Sequence, residues 1–224
     1  MKFTNLIYKL TILFGLVVGL TRTEIQAQEF TIARLHYSGF GDWYSDPSSL
    51  PNLLEYIKIK TPLSVHGRDI HVKITDEDFF EYPYLYLTGH GGLIFTDEEV
   101  VKLREHLLRG AFLHIDDNYG LERSFRREIK RLFPEKDLVE IQEDHPIFHS
   151  FFEIPNGLPK IQAHDGLRPQ AWGLFEGDRL LVLYTFESDL GDGWEDAEVH
   201  HISPDRRDEA FKMGVNIVYY ALTQ

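Results

Sequence analysis

Asp116, Asp117 and Asn118 stand side by side between an apolar run and a helical repeat. Before them, Ala111 to Ile115 is apolar except for His114 and reads as a buried strand. After them, Leu121, Phe125, Ile129 and Leu132 recur at helical spacing with Arg and Lys between. A strand, an acidic turn and a helix predict an elbow that lifts its turn residues above the end of a parallel sheet. Hydrolytic α/β enzymes place a Ser or Cys nucleophile there. This chain has no cysteine at all and puts Asp116, Asp117 and Asn118 in that place.

Two chemistries suit that turn. Paired carboxylates can hold a divalent metal or divide acid and base roles between them, which makes Asp116 and Asp117 candidates for either. Alternatively, one of them caps the helix that begins at Leu121, where a negative charge suits the helix N-terminus. His90 lies between Gly89 and Gly91 in the string Thr88-Gly89-His90-Gly91-Gly92. It has no apolar face to complete, and the flanking glycines let backbone approach a ligand. With Asp116 and Asp117 it forms a candidate metal-assisted hydrolase site. His36 and His114 alternate with apolar strand residues and read as core histidines. The pairs His164-Asp165 and His200-His201 fall in predicted loops, where either can bring an imidazole to the sheet edge; His with Asp fits a Zn2+ or Mn2+ shell. No HxH or HExxH spacing supports a metal more strongly. The run from Glu187 to Asp196 is acidic, but the spacing of Asp189, Asp192 and Asp196 does not match a calcium loop, and it reads as a solvated loop with weak ion-binding potential.

The elements that must position these residues alternate in type. Phe30 to Tyr37, Ile70 to Ile74, Tyr84 to Leu87, Leu138 to Ile141 and Leu180 to Tyr184 read as further strands. Ser49 to Ile59, Asp97 to Leu108 and Asp208 to Leu222 read as helices, the second with Thr96 and Glu99 as a capping box. His145 to Gly177 is rich in Pro, Gly and His and reads as loops with short strands. Such alternation predicts an α/β fold with a doubly wound, mostly parallel sheet. Ligands in such sheets bind at the carboxyl ends of the strands. Three unusual segments fall there: His36 to Tyr44, Gly89 to Gly92, and Asp116 to Gly120. Tyr37, Trp43, Gly91, Gly92 and Tyr119 are therefore expected to line a ligand cleft.

Several classes are excluded or expected from composition. The 224 residues are 43% hydrophobic, enough for one core, and no low-complexity linker divides them. Lys2 and Lys9, the apolar run Leu10 to Leu20 and the small residue Ala27 have the layout of a secretory signal peptide, residues 1–27. The run is too short for a stable membrane span. The mature domain, residues 28–224, is thus expected in the periplasm or another extracytoplasmic space. Removing three basic residues and one acidic one moves the net charge from −13 to −15. That charge repels phosphate backbones and argues against nucleic acid. An exported chain without cysteine has no disulfides and must draw its stability from the core.

Four strings, Phe30 to Tyr44, Tyr84 to Gly92, Gly110 to Gly120 and Lys212 to Thr223, resemble the domain-of-unknown-function family numbered 4159. That family is similar to class I glutamine amidotransferases and to trehalose-utilisation-type domains. The resemblance implies a flavodoxin-like fold but no established activity. In the amidotransferases the nucleophile is a Cys followed two residues later by Gly; here Asn118 and Gly120 hold those positions. Asn forms no thioester, so glutaminase chemistry is not implied. The Gly91-Gly92 turn matches the place where that fold makes its oxyanion hole. The sequence thus predicts a degenerate scaffold that binds a small polar ligand or an envelope protein partner. The rival readings are the metal-assisted hydrolase and a structural subunit of an envelope complex.

Overall fold

The most apolar strings of the chain become the middle of one sheet. The computed structural model describes residues 29–224, so the expected signal peptide lies outside the described residues. In chain order, β1 (Ala33–Leu35), β2 (Ser38–Gly39), α1 (Ser49–Lys60) and β3 (Ile70–Val72) come first. Then follow β4 (Tyr84–His90), β5 (Leu93–Ile94), α2 (Asp97–Leu108), β6 (Phe112–Tyr119) and α3 (Glu122–Leu132). The last third holds β7 (Val139–Ile141), β8 (Gln170–Glu176), β9 (Arg179–Phe186), α4 (Leu190–Trp194), α5 (Ala197–His200) and α6 (Pro204–Thr223). None of the described helices is long and apolar enough to cross a membrane.

Seven strands share a sheet in the order β3-β1-β4-β6-β9-β8-β7. The first five are parallel, and β8 and β7 run antiparallel at one edge. β2 and β5 form a small separate antiparallel pair. The strands expected to end at Leu87 and Ile115 are neighbours, with those two residues in register. Strand order reverses between β1 and β4, the place where open α/β sheets leave a crevice.

Alternation along the central strands divides the core in two. Tyr84, Tyr86, Phe112 and Leu183 pack with α1, α4 and α6 on one face. Leu85, Leu87, Leu113, Ile115 and Tyr184 pack with α2 and α3 on the other. The capping box at α2 is present: Glu99 N–H donates to Thr96 Oγ1 (3.2 Å), and Thr96 N–H to Glu99 Oε2 (2.7 Å).

Four expectations are corrected. The acidic turn is strand: β6 continues to Tyr119 because Asp116 and Asp117 pair with Thr88 and Gly89 of β4, and Asp116 also with Thr185 of β9. The first strand is shorter than Phe30 to Tyr37, with Phe30 making an isolated bridge to Val65. Gln170–Glu176, expected among loops, is a full strand paired to β9. Finally, the acidic run is not solvated. Glu187, Ser188, Asp189, Asp192 and Glu195 are all buried, in and around α4. Trp194 anchors that helix at 1% exposure, and its Nε1 donates to Ala210 O at 2.8 Å.

Candidate functional site

A strand sends adjacent side chains to opposite faces, and this decides the fate of the two aspartates. Asp116 points under α4. Its carboxylate accepts from Thr185 Oγ1 (2.5 Å), from Gly191 N–H (2.7 Å) and from the Tyr86 hydroxyl (3.4 Å). Asp117 points under α3, where it accepts from Leu121 N–H (3.0 Å) and from the Tyr184 hydroxyl. Of the two aspartates, Asp117 is the one that holds the chain entering α3, through the N–H of Leu121, but no side chain caps the first turn of that helix. His90 is elsewhere again: its backbone N–H donates to Asp42 Oδ1 (2.5 Å), and its Nδ1 stands 3.1 Å from Asp42 Oδ2, half-exposed. Among the described residues, Asp116, Asp117 and His90 are not a group whose ligand atoms lie within 4.8 Å of one another.

Under α4 the buried polar groups are dense. Asp46, in the loop before α1, is 6% exposed. Its Oδ1 accepts from Asn118 Nδ2 (3.2 Å), whereas its Oδ2 has no hydrogen-bond partner. Asp192 Oδ2 accepts from Gln162 Nε2 (2.5 Å). His200 Nε2, at the end of α5, lies 3.1 Å from Asp192 Oδ1 and 2.9 Å from Glu195 Oε2. Asp189 faces His164 Nε2 at 3.2 Å. Among the described residues, Asp46, Asp192 and His200 are a set whose ligand atoms all lie within 4.8 Å of one another. Gly191 permits this crowding, because a Cβ there would stand 2.6 Å from Asp46 Oδ2 and 3.2 Å from the Tyr86 hydroxyl.

Burial governs the protonation of this cluster. Loss of water pushes Asp46 up to about 6, aided by the charge of Asp192, and pushes Asp116 up to about 7. Asp189 is raised well above the ordinary carboxylate range by burial and by Asp192. His114, buried on the same face, is pulled down to about 3 by burial; its Nε2 meets Thr185 Oγ1 at 3.1 Å and its Nδ1 has no partner. It is a core histidine, as its alternating neighbours imply, though only half satisfied. Strain gathers here too. The non-glycine residues with positive φ among the described residues are Asp46, His164, Glu187, Asp189 and His201, all in the segments around this end of the sheet. Such backbone costs on the order of 1 kcal/mol each and persists where surrounding structure imposes it.

A cleft of about 190 Å3 opens beside the carboxyl ends of β6 and β9. Tyr119, His164, Asp165, Asp117, Glu122 and Glu187 are among its walls. The Tyr119 ring stacks on His164 with centroids 5.4 Å apart, and its hydroxyl donates to Asp165 Oδ1 (2.8 Å). Burial lowers the His164 pKa and raises that of Asp117. The other residues expected to bind ligand are not among its walls. Tyr37 is buried, with its hydroxyl donating to Thr88 O (3.1 Å). Trp43 stacks on His36 at 4.0 Å. Gly91 N–H donates to Tyr119 O (3.2 Å), so this donor is engaged, and Gly92 O accepts from Phe40 and Gly41. Two larger hollows, about 600 Å3 between α2 and α3 and about 960 Å3 near Pro83 and Gly110, lie away from these polar residues.

Asn118, next along β6, is 1% exposed. Both ends of its amide are engaged: Nδ2 donates to Asp46 Oδ1, and Oδ1 accepts from Thr88 Oγ1 at 3.2 Å. With the polar ends of β4 and β6 and the Tyr119-Gly120 turn in view, the comparison with known families is decisive. Residues 31–222 match the family described as a domain of unknown function, DUF4159. The chain belongs to that family. Comparison with curated proteins returns no match. Within this DUF4159 domain, Asp46 is a buried acid that no sequence pattern singles out, whereas Asp189 and Asp192 stand in the acidic run whose spacing carries weak ion-binding potential. A signal existed in Leu190-Gly191-Asp192-Gly193-Trp194: two large apolar residues four apart with two glycines between them are the pattern of a tightly packed helical turn.

Proposed function

We propose that this is an exported single-domain protein, residues 28–224, whose flavodoxin-like, amidotransferase-like scaffold lacks a nucleophile and binds a small polar ligand. The observation that carries this reading is Asn118, buried and hydrogen-bonded where the related scaffold needs a free thiol. Numbered among themselves in chain order, the five parallel strands lie as 2-1-3-4-5, the order of flavodoxin-like sheets. Export is supported by the charged, apolar and small-residue layout of residues 1–27.

The cleft beside Tyr119 supports ligand binding. It lies outside strand carboxyl ends, and four carboxylates, Asp117, Glu122, Asp165 and Glu187, line it with a single imidazole. Its size suits a small molecule, and its charge suits one bearing an amine. The test is a thermal-shift screen of polar metabolites, with amines and amino acids included, alongside an ammonia-release assay with glutamine. An amine-bearing compound is expected to raise the melting temperature, with the shift lost in Tyr119→Ala, and no ammonia is expected. Ammonia release abolished by Asn118→Ala overturns the reading. An intact mass of native protein that retains residues 1–27 contradicts the export half. A second reading, docking to an envelope protein, is favoured by Phe40 and Tyr44, which are 94% and 64% exposed on the loop after β2. Native cross-linking that is the same for wild type and Phe40→Ser speaks against it.

A further inference from the structure

We propose that Asp46, Asp192 and His200 bind a divalent transition-metal cation of the Zn2+ or Mn2+ class. The three come from separate segments: the loop before α1, α4 and the end of α5. Metal–oxygen and metal–nitrogen bonds of about 2.0–2.2 Å set the ligand atoms of one ion roughly 3–4 Å apart. His200 Nε2 and Asp192 Oδ1 already stand 3.1 Å apart, and Asp46 completes a set within 4.8 Å.

Asp46 Oδ2 points independently to a missing partner. It is buried and receives no hydrogen bond. A carboxylate withdrawn from water demands an opposite charge. The nearest buried base, Arg34, does not supply it. Arg34 Nε pairs with Asp69 (3.2 Å), while its Nη atoms donate to Ser45 O, Asp46 O and Ser49 Oγ. Lys160 is paired with Glu187. A cation among Asp46, Asp192 and His200 meets the demand directly.

The surroundings are built to hold such ligands in place. Asn118 Nδ2 orients Asp46 through Oδ1, Gln162 Nε2 orients Asp192 through Oδ2, and Glu195, fixed by Ser48 N–H (3.2 Å) and Oγ (3.1 Å), stands beside the imidazole. Outer contacts of this kind fix ligand orientation and are worth about 10–100-fold in metal affinity. The imidazole nitrogen selects the metal class, because Ca2+ and Mg2+ prefer oxygen alone. His200 retains 28% side-chain exposure, which leaves a way in from solvent.

The experiment is calorimetric titration of the purified protein, stripped with EDTA, with MnCl2, ZnCl2, CaCl2 and MgCl2 in turn. One Mn2+ or Zn2+ is expected per chain. Asp46→Asn and His200→Ala are each expected to weaken it at least about tenfold, and His90→Ala is expected to leave it unchanged. Bound Mn2+ should show nitrogen hyperfine coupling in its spin-echo spectrum, lost in His200→Ala. Circular dichroism of each variant confirms that it is folded; Asp192→Asn, of nearly the same shape, replaces any that is not. No saturable binding by the stripped wild type, equal binding by folded His200→Ala, or binding of Ca2+ or Mg2+ alone overturns the proposal. Small-molecule shifts at the Tyr119 cleft are read separately, so either result stands without the other.

Discussion

Glu128 and Asp46 are both carboxylates taken out of water, at 1% and 6% exposure, and the chain provides for them differently. Glu128, on α3, is met by Arg127 Nε (2.7 Å), by Arg131 Nη1 and by Phe95 N–H (3.3 Å). Two guanidinium groups and an amide close its account. Asp46 has one amide on Oδ1 and nothing on Oδ2, and its neighbours Asp192 and Glu195 carry the same sign. The same fold therefore neutralises a buried acid completely on the α3 face and leaves one open on the α4 face. The difference teaches that Asp46, unlike Glu128, is not held by ion pairs of its own, and that what holds it under α4 must be something other than charge pairing.

The largest effect should come from removing that something. Trp194→Ala is expected to cost about 3–5 kcal/mol by urea unfolding, because a fully buried aromatic pins α4 to the sheet and to α6. A loss below 1 kcal/mol would mean that polar contacts hold α4 instead. Next, Glu128→Gln should lower stability by about 2 kcal/mol, softened because Arg127 and Arg131 can return to water. In EDTA at pH 8, Asp46→Asn should be neutral or stabilising, since it removes an unpaired buried charge. Equal losses for the two would erase the contrast.

A pH series sharpens it further. Asp46 and Asp116 hold their protons more tightly when folded than when unfolded. Their contribution is therefore complete below the ordinary value of 3.8 and is lost as pH rises through about 6 and about 7. Metal-free protein should lose stability from pH 5 to pH 8, and Asp116→Asn should flatten that fall. His114 acts in the opposite direction. Held near 3 against an ordinary 6.5, it withdraws stability as pH drops from 6.5 toward 3. Denaturant midpoints measured across this range check both signs. The smallest effect belongs to Asp117→Asn. It should cost about 1 kcal/mol or less, as the amide oxygen still accepts from Leu121 N–H. A larger loss would place Asp117 with Glu128, among the acids whose partners need the full charge.

Local pattern made much of the frame legible. The α2 capping box, the apolar periodicity of α3 and the adjacency of the Tyr84 and Phe112 strands all follow from short-range rules. So does the core position of His114. The candidate site was legible only in part. Tyr119, His164 and His200 stand where their loops bring them to the carboxyl end of the sheet. Trp43, however, stacks on His36 and is not among the walls of the cleft.

What the sequence by itself determined is the class of structure: alternating strands and helices, a polar end to the central strands, and no thiol for amidotransferase chemistry. Tertiary structure alone decided that β6 runs on through Asp116 and Asp117, because the hydrogen-bond partners that extend it are Thr88, Gly89 and Thr185 on other strands. That extension turned a supposed pair of carboxylates into residues on opposite faces. It also decided that Asp46 meets Asp192 and His200, residues separated by about 150 positions. Burial and charge balance depend on which distant segments share a volume, and no local spacing encodes that.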